Sequence, residues 1–171
     1  MDSAIPAGRP LVAALLVDYP VLLRALRAVE PDAAPSLDRI VARAKAVLPL
    51  LAARAYGAWY DADEARAAFA EGLDPVFVPP VGPGSAPTTA ALVADGVSLI
   101  RSGQVAGLAL SGDDRLLPLL AAAHTEGVEV ALIAHNCLPG GPCVRLARTA
   151  EPATSFTRAL TRAERYRRSV A

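Results

Sequence analysis

The chain is predicted to form an α/β domain with a central, mostly parallel sheet and helices on both faces. Its 171 residues match the size of one ordinary domain. Short, continuous apolar runs typical of doubly buried parallel strands alternate with longer segments whose apolar residues recur at helical spacing. Such alternation is typical of a doubly wound sheet. We expect the domain to span residues 1–154, followed by a basic helical tail over residues 155–171.

The first predicted strand is Leu11–Val17, a continuous apolar run that ends at Asp18. Pro20 suits the first turn of the following helix, where its missing N–H would have no partner anyway. Further strands are predicted at residues 50–59, 75–78, 107–110 and 128–134. Further helices are predicted at residues 36–48, 64–71, 88–101 and 116–124. Ser36 is expected to cap the first of these helices, and the proline-rich segment 79–87 is expected to be a loop.

The bulk composition excludes several classes of protein. Apolar residues make up 53% of the chain and charged residues 20%, which is typical of a globular protein and not of a disordered one. Seventeen basic and seventeen acidic residues cancel, so any contact with RNA would need a local patch. The longest early apolar run is too short to cross a membrane, and no signal peptide is recognisable, so we expect a cytoplasmic protein with no membrane contact. Cys137 and Cys143 are expected to be reduced thiols.

Three aspartates are candidates for a metal site. Asp18 and Asp113 follow predicted strands, and Asp95 lies in the helix between them in sequence. Ligands of open α/β sheets bind beyond the carboxyl ends of the strands. Converging carboxylates need a cation, and Mg²⁺ or Mn²⁺ with oxygen ligands can activate water for phosphodiester hydrolysis. The alternative is that these aspartates only cap helices or form turns, as aspartates after strands often do.

Four short segments, taken together and in order, resemble the NYN domain family of PIN-like nucleases, which includes the LabA-type bacterial proteins. They are Leu15–Asp18, the Arg-Ala-Tyr-Gly-Ala-Trp run Arg54–Trp59, Ala94-Asp95, and Leu110–Asp113. The resemblance covers roughly residues 11–136. It implies a Rossmann-like PIN fold and divalent-metal-dependent ribonuclease activity on RNA. It also implies that Asp18, Asp95 and Asp113 are catalytic and bind the Mg²⁺ or Mn²⁺ ion.

The sequence departs from the family pattern at three positions of the acidic site. Val21 stands where the family usually has Asn, Thr89 where it has Asp, and Arg115 where it has the second Asp of its Ser-Gly-Asp-Ser-Asp motif. Asp114 could partly replace that acid, whereas Arg115 would oppose a metal ion and could bind phosphate instead. Two main expectations follow. One is a ribonuclease with an incomplete acidic site, and the other is a catalytically silent module that binds RNA, a nucleotide or a partner protein. A third alternative is a small-molecule or phosphate-binding α/β protein unrelated to nucleases.

The remaining candidates concern substrate binding and assembly. The residues expected to contact substrate are Ser111, Asp114, Arg115, Thr89, Tyr56 and Trp59. The two aromatic residues could stack on RNA bases, or they could fill gaps between helices. The arginine-rich tail could bind phosphates or face a partner. The tail or the Ala- and Leu-rich helix 116–123 could supply an interface for a homo-oligomer.

Overall fold

The computed structural model describes residues 12–27, 31–32, 35–46, 48–82, 85–112, 114–134 and 143–147. Six strands are present in these ranges: β1 (Ala13–Asp18), β2 (Leu50–Gly57), β3 (Asp74–Phe77), β4 (Gly107–Ser111), β5 (Glu129–Ala134) and β6 (Cys143–Ala147). Five helices accompany them: α1 (Tyr19–Arg27), α2 (Leu37–Lys45), α3 (Ala62–Ala70), α4 (Pro87–Arg101) and α5 (Leu117–Thr125). A 3₁₀ turn, Asp114–Leu116, precedes α5.

The strands form one sheet in the order β3-β2-β1-β4-β5-β6. β1 to β5 are parallel, and β6 pairs with β5 in the antiparallel direction. The chain thus builds outward from β1 to β3, returns to the centre, and builds outward again from β4. The order in which strands are added to the sheet reverses between β1 and β4. This position is a topological switch point, the usual location of a ligand crevice in such sheets.

Helices cover both faces of the sheet because successive strand residues point to opposite sides. On one face, Leu16 and Leu110 belong to an apolar cluster with Leu92 of α4 and Leu119 of α5. On the other face, Leu15 and neighbouring strand residues belong to a cluster with apolar residues of α1, α2 and α3. β1 is buried at every position, as its continuous apolar sequence predicted. The predicted α/β fold class is therefore confirmed.

The predicted elements up to residue 134 are present with small shifts in their ends, and two details differ from prediction. Ser36 lies at the N-cap of α2, but its hydroxyl makes no capping hydrogen bond. No strand was predicted at residues 143–147, where the structure contains β6. Leu11, Asp113, Cys137 and the tail 155–171 lie outside the described residues. No helix among the described residues combines the length and apolar content needed to cross a membrane.

Candidate functional site

Asp18 and Ser111 are the last residues of the neighbouring strands β1 and β4, at the switch point of the sheet. Val17 of β1 is the register partner of Ser111, so the two strands end together. Both Asp18 and Ser111 are fully buried. The N-terminal turn of α4 reaches the same edge of the sheet, since Thr88 and Thr89 contact Asp18. Three parts of the chain that are distant in sequence therefore meet at this edge of the sheet, which we call the crevice: the junction of β1 with α1, the start of α4 and the turn after β4.

The Asp18 carboxylate accepts hydrogen bonds on both of its oxygens. Oδ1 accepts from the Val21 backbone N–H at 3.3 Å and from the Thr88 hydroxyl at 3.2 Å. Oδ2 accepts from the Thr89 hydroxyl at 2.5 Å. A buried carboxylate is costly unless such donors satisfy it, and the N-terminal ends of α1 and α4 add favourable dipoles. The hydrogen bond from the Val21 N–H is a helix-capping bond. Asp18 therefore caps α1, which was the alternative to metal binding given for it from the sequence.

Asp95 belongs to a different cluster, on the side of α4 that faces β2. Its Oδ2 accepts a hydrogen bond from the Tyr56 hydroxyl at 2.8 Å and forms an ion pair with Arg54 Nη1 at 3.1 Å. Burial, followed by the hydrogen bond to the Asp95 carboxylate and the charge of that carboxylate, raises the pKa of Tyr56 far above its ordinary value. The phenol therefore remains a neutral donor to Asp95.

The contacts described above for Asp18 and for Asp95 involve different residues. Thr89, which contacts Asp18, and Asp95 are six residues apart in α4, which corresponds to about 9 Å along the helix axis. Within the described ranges, no three His, Cys, Asp or Glu side chains are grouped so that they could hold a metal ion. The structure thus brings Asp18 together with position 89, and it joins Asp95 to the Arg54–Tyr56 pair. The metal role of Asp113 stays a prediction.

The turn after β4 is compact because glycine allows a close contact. A Cβ atom on Gly112 would lie 2.6 Å from Leu116 Cδ1, so any side chain at this position would force Leu116 to shift. Leu116 is fully buried, so it cannot easily move away. Arg115, between these two residues in the 3₁₀ turn, is exposed at the carboxyl edge of the sheet. The predicted strand–turn–helix around Ser111 is therefore present, with a cation on its outer side.

Of the two alternatives given for Tyr56 and Trp59, base stacking or packing, the structure shows packing contacts for both. Tyr56 is fully buried, so its ring cannot receive a base, and the prediction of stacking is corrected for it. Trp59 packs against Tyr19 with ring centroids 4.8 Å apart, and its indole N–H donates to the Val76 carbonyl at 2.9 Å. Its backbone has a φ of 45°, in the left-handed region. Trp59 thus closes the ends of β2 and β3 against α1.

Thr88 and Arg54 belong to these clusters, although neither was expected to do so from the sequence. Arg54 and Tyr56 are two residues apart in β2, so their side chains point to the same face, and this spacing could have suggested a shared partner. Thr88 gave no comparable signal, because a threonine in the first turn of a helix is common. Its partner, Asp18, is 70 residues away in sequence.

The comparisons with known proteins support the fold and leave the activity open. No protein-family model and no curated protein matches the chain. Among solved structures, the chain is similar to a protein of unknown function from Vibrio parahaemolyticus RIMD 2210633. The TM-score is 0.59 at 17% sequence identity, and the match covers 74% of this chain and 82% of that chain. Similarity at this identity shows a common fold alone, so the resemblance to the NYN family stays a prediction.

Proposed function

We propose that the chain is a catalytically silent RNA-binding domain of the NYN/PIN-like type, with its ligand site at the crevice between β1 and β4. The observation that carries this proposal is the donor set around Asp18. Its carboxylate is fully buried and already accepts three hydrogen bonds from protein groups. Asp18 in this role organises the crevice by joining α1 and α4 to the sheet.

The described residues do not fit a catalytic magnesium centre. A divalent ion at Asp18 would compete with the Thr89 hydroxyl, which is neutral and contacts Oδ2 directly. The resemblance implies an acid at this position, and Thr89 supplies no negative charge in its place. Asp95 cannot compensate, because Arg54 and Tyr56 engage its carboxylate. We therefore derive no hydrolytic step for this crevice.

Three features support a phosphate-bearing ligand such as RNA. The crevice lies at the switch point of the sheet, where ligands of doubly wound folds bind. The fifteen-residue α4 begins at this edge, and Ala86 at its N-cap offers no side-chain acceptor to the first-turn N–H groups. Arg115 adds an exposed cation on the adjacent turn. The resemblance to the NYN family favours RNA over other phosphate-bearing ligands.

The test measures binding and cleavage of the same RNA. Fluorescence anisotropy with a labelled single-stranded RNA should show salt-sensitive binding, and denaturing gels with Mg²⁺ or Mn²⁺ should show intact RNA. Arg115→Gln should weaken binding and reduce the slope of log K against log salt by about 1. Arg101→Gln is the matched control, because Arg101 is exposed at the opposite end of α4.

Two outcomes would contradict the proposal. Metal-dependent RNA products that disappear in Asp18→Asn would establish the ribonuclease that the family resemblance implies. If the Arg115 and Arg101 variants bind RNA with equal affinity, the crevice is not the binding site.

A further inference from the structure

α4 is anchored to the sheet by polar contacts at two points along its length. In its first turn, the hydroxyls of Thr88 and Thr89 donate hydrogen bonds to the fully buried Asp18 carboxylate of β1. Further along the helix, Asp95 accepts a hydrogen bond and forms an ion pair with side chains of β2. Thr88 and Asp95 are seven residues apart, so they lie on the same side of α4, about 10 Å apart along its axis.

The contacts of Asp95 have fixed donors, and we call them the Asp95 anchor. One carboxylate oxygen, Oδ2, lies 2.8 Å from the Tyr56 hydroxyl and 3.1 Å from Arg54 Nη1. Both donors belong to β2, which is paired with β1 on one side and with β3 on the other. Tyr56 is fully buried in the apolar cluster that includes Leu92 of α4, so its ring is held in place. The anchor therefore links α4 to a rigid part of the sheet.

Apolar burial constrains the rotation of α4 about its own axis less strictly than hydrogen bonds do, because the hydrophobic effect has no preferred direction. Leu92, between the two anchored positions, is fully buried and packs in the core beneath α4. A rotation of about 20° would move an atom about 5 Å from the helix axis by about 1.7 Å. A hydrogen bond does not survive a displacement of that size. The Asp95 anchor therefore opposes the rotation that would separate Thr88 and Thr89 from Asp18.

We propose that Asp95 is a positioning residue for the crevice. The Asp95 anchor fixes the rotation of α4 and thereby holds Thr88, Thr89 and the first-turn N–H groups at the place where the ligand binds. This inference rests on the RNA-binding role proposed above. It predicts that Asp95 affects RNA affinity without contacting the RNA.

The RNA affinity of Asp95→Asn tests the proposal by its sign. Loss of a negative charge alone should strengthen the binding of a polyanion. The positioning role predicts the reverse, an affinity about 2- to 30-fold weaker than that of the wild-type chain, the usual range for residues that act through a coupled element. The slope of log K against log salt should stay unchanged, because no phosphate contact is lost. Fluorescence anisotropy with labelled single-stranded RNA at several salt concentrations measures both quantities.

Two further full-length variants complete this experiment. Asp63→Asn is the matched control, because Asp63 also pairs with an arginine, Arg66, but its side chain is 78% exposed on α3. Its RNA affinity should equal that of the wild-type chain or exceed it slightly. Tyr56→Phe removes one donor of the Asp95 anchor and no charge, so it should weaken RNA binding in the same direction as Asp95→Asn.

The chain without RNA provides a second readout, so that failure of this inference and failure of RNA binding are distinguishable. Asp95→Asn should shift the amide NMR signals of Thr89 and Val21, whose contacts with Asp18 are at the crevice, and Asp63→Asn should leave both signals unchanged. An RNA affinity of Asp95→Asn equal to or above that of the wild-type chain, or shifts confined to the neighbours of Asp95, would overturn the positioning role. A wild-type chain that binds no RNA would overturn the RNA-binding proposal, and the amide signals would still decide the role of Asp95.

Discussion

Asp18 and Asp95 illustrate two ways in which this domain accommodates a carboxylate. Asp18 is fully buried and is satisfied by neutral donors and by two helix N-termini. Asp95 is 41% exposed and is satisfied by a guanidinium and a phenol. Removing donors from the buried carboxylate would leave its charge uncompensated, at a cost of several kcal/mol. Its partners are therefore as important to stability as the aspartate itself.

Thr89→Asp should create a repulsive pair of carboxylates. The Thr89 hydroxyl lies 2.5 Å from Asp18 Oδ2, so a second carboxylate would lie in contact with the first. Two charges at about 4 Å repel by about 4 kcal/mol at an effective dielectric of 20. We expect a large loss of thermal stability that Mn²⁺ partly restores, because a cation between the carboxylates offsets their repulsion.

Thr89→Asn is the control for this substitution, since it has the same shape as aspartate and no charge. Thermal unfolding of both variants with and without Mn²⁺ is the measurement. Equal stability of the two variants, with no effect of Mn²⁺ on either, would show that position 89 is not adjacent to the Asp18 charge.

Tyr56 should make the domain sensitive to alkaline pH. Its pKa is raised above the ordinary value of 10.0, so above pH 10 the unfolded chain releases the phenol proton while the folded chain keeps it. The stabilisation is complete below pH 10 and is lost as the pH rises toward the folded pKa. Tyr56→Phe should remove this pH dependence and cost about 1.5–3 kcal/mol at neutral pH, because Asp95 loses a donor.

Urea unfolding at neutral pH and at about pH 11, one unit above the ordinary tyrosine pKa, measures both effects. Tyr60→Phe is the control, because Tyr60 is 82% exposed. If the two variants lose stability with pH to the same extent, the Tyr56–Asp95 bond is not the source of the effect.

At the scale of elements, the sequence predicted what depends on local patterns. Buried parallel strands such as β1 appear in the sequence as continuous apolar runs. Gly72, with a φ of 91°, follows the C-terminal end of α3, as expected of a glycine that stops a helix. β6 was missed because a five-residue run with one arginine, Cys143–Ala147, is too short to distinguish from a loop. Its strand character depends on pairing with β5, which no local pattern reports.

Because α4 packs closely against α5, replacing Gly96 with a larger residue should lower the stability of the domain. A Cβ atom there would lie 2.7 Å from Leu119 Cδ1 and 3.2 Å from Leu16 Cδ1, and both leucines are fully buried. Helix propensity alone would make Gly96→Ala stabilising by about 1 kcal/mol. We expect a net loss of about 1–3 kcal/mol because the core is overpacked.

Chemical denaturation of Gly96→Ala beside Ser98→Ala checks this expectation. Ser98 is exposed on the same helix, so its substitution should be neutral or slightly stabilising. A stability gain in Gly96→Ala would show that the two helices are not in close contact at this point.

At the scale of the whole molecule, the position of the site was predictable, whereas its chemistry was not. The switch point follows from strand order, and the structure places Thr89 in contact with Asp18 there. The assignment of both positions to one functional site, which the family resemblance implies, stays a prediction. The partners of Asp95 could not be predicted, because Arg54 and Tyr56 are about 40 residues away and a helix aspartate gives no sign of which face it serves. The folded chain places Asp18 at the switch point and engages Asp95 with Arg54 and Tyr56 of β2.

The proposal that the site at Asp18 holds no catalytic metal is tested most directly by calorimetric titration of Mn²⁺ into the full-length wild-type chain. Three hydrogen bonds at this buried carboxylate predict no binding in the low millimolar range. Binding of one Mn²⁺ ion per chain that disappears in Asp18→Asn would contradict the account.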